Sequence, residues 1–210
     1  MMLVSPSVAS ADPFHLEEET VFADRNFHQI HIDVEDGVAV PNITLGMNTC
    51  REICARWPTS YRSLHLSVFR PLDYLERVQN CYADIVFLQV SHLSEPDAIL
   101  KEFHDAGIPL GIAISNRDFS HDWESLLTYA EQALVVTNYM GDPKRTFQQT
   151  MLETALHIAE TYHMKTWIDG NVSYDIWRYL KDSPIYAAVM GGAVYRDKEL
   201  AIRQFLSSEG

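Results

Sequence analysis

The stretch His31-Ile32-Asp33-Val34-Glu35-Asp36-Gly37 concentrates side chains that can do chemistry. Read with the period of a β-strand, His31, Asp33 and Glu35 share one face, and Ile32 and Val34 share the other. A face of imidazole and carboxylates makes poor core, because unpaired charge is costly to bury, but it makes a good metal site. Two further segments carry the same kind of group. Leu64-His65-Leu66 sets a histidine within a strand-like run, and Trp167-Ile168-Asp169-Gly170 sets an aspartate at a strand end before a glycine. Two histidines and two aspartates drawn from three strands would form a compact site for one divalent ion per chain. Such mixed ligation suits zinc, iron, manganese or cobalt. Taken singly, His65 also reads as a hydrogen-bonded core group and Asp169 as a helix N-cap.

Positioning these groups requires strands, and short apolar runs alternate with helical patterns along the whole chain. Strand candidates lie near 3–8, 28–34, 62–67, 84–90, 109–114, 133–138, 165–169 and 186–190, with helical periodicity between them, as over 71–78 and 146–162. Strand–helix alternation with short connections implies a parallel sheet, and eight such units imply a closed α/β barrel. The expected organisation is one TIM-barrel domain over residues 1–210. The irregular stretches 35–46, 115–122 and 138–145 each follow a strand, and would lie at the C-terminal face where barrel active sites are built.

Hydrophobic residues make up 47% of the chain, enough for a sizeable core. A formal net charge of −13 argues against nucleic acid and anionic membranes, which call for basic patches. It does not exclude a phosphorylated small molecule, which a nest of backbone N–H groups can hold inside an acidic protein. Cys50, Cys54 and Cys81 form no metal-type pair, and the first two fall i,i+4 on a helical pattern, as reduced helix-face thiols. The first Lys or Arg is Arg25, and no apolar run reaches the length of a membrane span. The expectation is a cytoplasmic protein without a signal peptide.

Several motifs together resemble the ribulose-phosphate 3-epimerase family. They are Ser5-Pro6-Ser7 with Ala9-Ser10-Ala11-Asp12, His31-Ile32-Asp33 with Asp36-Gly37 and Val40-Pro41-Asn42, and Leu64-His65-Leu66. Pro71-Leu72-Asp73-Tyr74, Ile168-Asp169-Gly170 and Gly191-Gly192-Ala193-Val194-Tyr195 complete the set, in order and over nearly the whole chain. The resemblance implies a (β/α)₈ barrel of the ribulose-phosphate-binding type, acting as a metal-dependent ketose-phosphate 3-epimerase and assembling as a homo-oligomer. It places the metal on His31, Asp33, His65 and Asp169. Asp33 and Asp169 would also be the two bases that remove and return the carbon-3 proton on opposite faces of D-ribulose 5-phosphate or D-xylulose 5-phosphate. Ser7 corresponds to a substrate-contacting serine. Gly141, Gly170, Asn171, Gly191 and Gly192 fall in the turns that hold phosphate.

The departures from the family pattern cluster around this machinery. Glu35 stands where the family usually has Met. It could hydrogen-bond a substrate hydroxyl, reach the metal, raise the pKa of Asp33 by like-charge repulsion, or turn to solvent. Asn171 replaces a second glycine, and asparagine tolerates positive φ. The turn after the sixth strand reads Asn138-Tyr139-Met140-Gly141-Asp142-Pro143-Lys144-Arg145 in place of a glycine-rich pattern. Lys144 and Arg145 would either compensate with charge-assisted contacts or decorate a surface loop. Gln89-Val90-Ser91 and Ser115-Asn116-Arg117-Asp118 also differ from the family's usual residues. Intact proton-transfer residues within an altered surround suggest the same chemistry on a different sugar, such as D-allulose 6-phosphate. A barrel that binds a phosphosugar without epimerising it is the further alternative.

Overall fold

The computed structural model describes residues 1–118, 122–139 and 146–206. Gly141, Lys144 and Arg145 lie outside the described residues. The eight expected strands all form: β1 (Leu3–Pro6), β2 (Gln29–Glu35), β3 (Tyr61–Ser67), β4 (Ile85–Gln89), β5 (Leu110–Ile114), β6 (Gln132–Val136), β7 (Lys165–Asp169) and β8 (Ala187–Met190). They pair in parallel in the order β1-β8-β7-β6-β5-β4-β3-β2. A parallel bridge between Ser7 and His31 joins β1 to β2, so the sheet closes into a (β/α)₈ barrel. Between and after the strands come α1 (Leu16–Phe27), α2 (Met47–Arg56), α3 (Leu75–Gln79), α4 (Pro96–Asp105), α5 (Trp123–Leu126), α6 (Gln149–Thr161), α7 (Tyr174–Leu180), α8 (Gly192–Tyr195) and α9 (Lys198–Phe205). The helical pattern over 71–78 resolves into a 3-10 turn, Pro71–Tyr74, followed by α3. A tight bond from Asp73 N–H to the Arg70 carbonyl sets that start.

Every residue of β4, β5 and β6 is buried, as parallel strands covered on both faces require. The period of two sorts these residues into two apolar layers. Ile32, Val34, Leu64, Leu66, Leu88 and Ile112 pack outward against the helices. Ile85, Phe87, Leu134, Trp167, Ala187 and Val189 fill the barrel interior. Trp167 stacks on Tyr61 at 6.0 Å between ring centroids, meets Phe87 at 5.4 Å, and donates its indole N–H to Gln132 Oε1 at 2.7 Å. A Cβ on Gly111 would lie 2.5 Å from the Phe87 ring, so glycine is what gives Phe87 its place in this plug. The plug floors the barrel, and the polar residues at the strand ends stand above it.

The three cysteines are unbridged and buried, with Cys50 and Cys54 on α2 as the spacing suggested. Burial pushes all three thiols up, Cys54 to about 12, so they stay protonated and inert. Among the described residues no helix is long and apolar enough to cross a membrane.

Candidate active site

Strand register brings the predicted ligands together. Asp33 lies opposite His65 in the β2–β3 pair, Ser7 lies beside His31, and Asp169 ends β7. One ligand atom from each of His31, Asp33, His65 and Asp169 falls within 4.8 Å of all the others. His31 Nε2 is 3.2 Å from Asp33 Oδ1, and His65 Nδ1 is 3.4 Å from the same oxygen and 3.7 Å from Asp169 Oδ2. Both imidazoles are held from behind. His31 Nδ1 lies 2.8 Å from Ser63 Oγ, and His65 Nε2 lies 3.0 Å from Gln89 Oε1. Each ring therefore turns one nitrogen to a hydrogen-bond partner and the other to the cluster, the arrangement that metal-ligating histidines adopt. Donor types, spacing and outer partners all fit a divalent ion bound by His31, Asp33, His65 and Asp169.

The electrostatics of the four groups are mutually dependent. Burial would raise Asp33, but the imidazoles of His31 and His65 outweigh it and hold the carboxyl well below the usual range. Burial would lower His65, but hydrogen bonds and charge from Asp169 and Asp33 raise it to about 10. The cluster is thus a compact balance of imidazolium and carboxylate charge, into which a cation can substitute for protons. Ser7 Oγ donates to Asp33 Oδ2 at 2.5 Å, leaving Oδ1 to the histidines.

Glu35 lines the same cavity and accepts a 2.6 Å hydrogen bond from Asn42 Nδ2. It does not raise Asp33. Rather, burial followed by the charge of Asp33 raises Glu35 itself. The loop after β2 folds back to supply Asn42. Asp36 bridges to Ile43, and Gly37 takes a φ of +76° where a Cβ would lie 2.9 Å from the Ile43 side chain. Thr44 ties the fold-back to the strand, accepting from Glu35 N–H and donating to the Asp33 carbonyl.

The cavity, about 750 Å³, runs from Asp33, His65 and Asp169 past Gly170 and Asn171 to Gly191 and Gly192. Gly170 and Asn171 both take positive φ, +113° and +53°, so asparagine preserves the left-handed turn that a glycine would make. Gly191 has Ser10 against it, with a Cβ there only 2.2 Å from Ser10 Oγ. Arg196, which sequence reasoning missed, is the one Lys or Arg lining the cavity among the described residues. Its guanidinium lies over Gly192, 3.1–3.3 Å from where a Cβ would be. The signal was available, since Arg196 follows Gly192 by four residues on a helical turn.

A barrel whose strand ends bring two imidazoles and two carboxylates to the C-terminal mouth has the build of an enzyme acting on small polar molecules. Comparison with known proteins narrows the class. The Ribulose-phosphate 3 epimerase family matches residues 3–195. The chain is 25% identical over 208 residues to a ribulose-phosphate 3-epimerase of Helicobacter pylori strain J99, covering 96% of this chain and 95% of that one. It is 29% identical over 206 residues to that of Synechocystis sp., covering 92% and 87%. In fold it resembles the solved structure of KGPDC from Streptococcus mutans, with a TM-score of 0.68 at 13% identity over 98% of this chain and 95% of that one. The chain belongs to the ribulose-phosphate 3-epimerase family, and so to the isomerases that epimerise carbohydrates.

Proposed function

We propose that this chain is a metal-dependent ketose-phosphate 3-epimerase, interconverting D-ribulose 5-phosphate and D-xylulose 5-phosphate by two-base proton transfer. The observation that carries the reading is the convergence of Asp33 and Asp169 with His31 and His65 within 4.8 Å, at one end of a cavity whose other end is a glycine turn. Asp33 comes from β2 and Asp169 from β7, three steps apart round the ring, so the two carboxylates approach a bound sugar from different sides. One carboxylate takes the proton from carbon 3, leaving an enediolate across carbons 2 and 3. The other returns a proton to the opposite face. A divalent ion, when bound, supplies positive charge for the negative charge that develops on the sugar. An ordinary aspartate, with a pKa of about 3.9, is a weak base. Ser7 and the histidines hold the Asp33 carboxylate in place for that work. At the far end, the glycine-rich turns and the Arg196 guanidinium suit a phosphate in an otherwise acidic chain. The Streptococcus mutans protein, also solved in complex with ribose 5-phosphate, shares this fold at 12% identity.

Solvent-deuterium incorporation at carbon 3, followed across a panel of ketose phosphates with metal content measured in parallel, tests this reading. Exchange into ribulose 5-phosphate that requires bound metal supports it, and a metal-replete protein that exchanges no ketose phosphate overturns it.

Glu35 favours a second substrate, D-allulose 6-phosphate or a similar ketohexose phosphate. A half-buried carboxylate beside Asp33 is unfavourable unless it meets a donor, and Asn42 satisfies only one of its oxygens. A longer sugar brings a further hydroxyl. Glu35→Met should therefore shift relative kcat/KM toward ribulose 5-phosphate, by up to about 10⁴-fold if the carboxylate binds a hydroxyl directly. Competition between the two sugars reads the shift, and an unchanged ranking removes Glu35 from the substrate's surroundings.

A further inference from the structure

Behind the metal-facing residues runs a continuous buried chain of polar groups that the proton-transfer chemistry does not use. His65 Nε2 faces Gln89 Oε1 at 3.0 Å. The Gln89 amide nitrogen donates to the Ala113 carbonyl at 3.1 Å and to Ser91 Oγ at 2.5 Å. Ser91 Oγ in turn donates to Asp118 Oδ2 at 2.7 Å. Asp118 Oδ2 also accepts from the Ser115 backbone N–H at 2.6 Å. Gln89, Ser115 and Asp118 are fully buried. These are the positions at which the β4 and β5 ends depart from the family pattern.

The direction of each hydrogen bond follows from what the groups can do. A carbonyl oxygen only accepts, so the Ala113 carbonyl requires the amide nitrogen of Gln89 on its side and turns Oε1 toward His65. Oε1 only accepts, so the His65 ring keeps its proton on Nε2 and leaves the Nδ1 lone pair for the cluster. Ser91 has a single proton. With that proton given to the Asp118 carboxylate, the hydroxyl oxygen presents a lone pair to the second amide N–H of Gln89. If Asp118 did not take it, Ser91 could donate toward Gln89 and support the opposite orientation of the amide. That orientation would put an N–H against Nε2 and favour a proton on Nδ1, where it blocks ligation.

We propose that Gln89, Ser91 and Asp118 form a positioning relay that fixes the tautomer and orientation of His65 for metal binding, as a carboxylate hydrogen-bonded directly to a ligating histidine does in other sites. Asp118 acts through two intermediates. The inference rests on the reading of His65 as a metal ligand and adds to it the residues that set its ring.

Zn²⁺ affinity of the full chain, measured by competition with a chromogenic chelator, tests the relay without reference to activity. Gln89→Leu should weaken Zn²⁺ binding by about 10- to 100-fold. Ser91→Ala should weaken it by a smaller factor while Asp118 keeps its Ser115 N–H bond, and Ser91→Thr, which returns the hydroxyl, should restore it. In the zinc-loaded protein, ¹⁵N NMR should show the His65 proton on Nε2. Ser91→Ala removes only one half-buried hydroxyl, so it decides the matter if Gln89→Leu fails to fold. Unchanged affinity in Ser91→Ala, or a proton on Nδ1 in the zinc-loaded protein, overturns the relay. Absence of Zn²⁺ binding by the unaltered chain overturns instead the metal reading on which it stands.

Discussion

Replacing His65 by alanine is expected to remove the bound divalent ion and all epimerisation with it. His65 Nδ1 lies between Asp33 Oδ1 and Asp169 Oδ2, so it is the ligand that separates two carboxylates as well as the one that completes the set. Loss of an outer hydrogen-bond partner of a ligand costs about 10- to 100-fold in metal affinity, and loss of the ligand itself should exceed that. What remains is His31 with two aspartates and the half-buried Glu35 nearby, a concentration of negative charge with one imidazole to offset it. The barrel should survive. His65 sits at the open end of β3 above the Trp167–Phe87 plug, and its replacement widens a cavity that already exists. Metal content after dialysis, together with carbon-3 exchange in the same preparation, gives the result. Full activity in thoroughly metal-free enzyme, or an unchanged metal content in His65→Ala, would overturn the assignment.

The strands could be read because parallel barrel strands combine short apolar runs with turn signals at regular intervals, and β1 to β8 lie where those runs occur. The ligand set could be read for a different reason. His31, Asp33, His65 and Asp169 are polar at positions where a strand's alternation puts them inside the barrel, and burial of such groups demands a partner. What could not be read depends on contacts between elements far apart in sequence. Gln89, Ser91 and Asp118 showed only as departures from a pattern, because their value lies in meeting one another and His65 across three strand ends. Gly111 gave no sign that it makes room for Phe87. Glu35 left several fates open until the loop after β2 folded back and brought Asn42 against it. The charge expected from Lys144 and Arg145 lies outside the described residues, while Arg196 reaches the cavity from the end of α8.

Asp169→Asn should leave a folded barrel that scarcely interconverts epimers. Asp169 ends β7 and is partly exposed to the cavity, so an isosteric amide disturbs no packed layer. The neighbouring turn is held independently, by Thr137 Oγ1 donating to the Asp169 and Gly170 carbonyls. The chemistry is what changes. An amide cannot accept a proton from carbon 3 or return one, and loss of a positioned acid–base group costs about 10²- to 10⁴-fold. The amide oxygen remains a weaker donor to a metal, so metal content should fall less than in His65→Ala. Asp33 stands on the other side of the sugar with its own partners, Ser7, His31 and His65, unchanged. A two-base mechanism therefore makes a specific demand of this variant. Exchange of the carbon-3 proton with solvent should persist from the epimer that Asp33 serves, while net conversion to the other epimer is lost. Following deuterium incorporation and epimer ratio together from each sugar separates the two steps. Interconversion at close to the wild-type rate would mean that one group, not two, handles the proton on both faces.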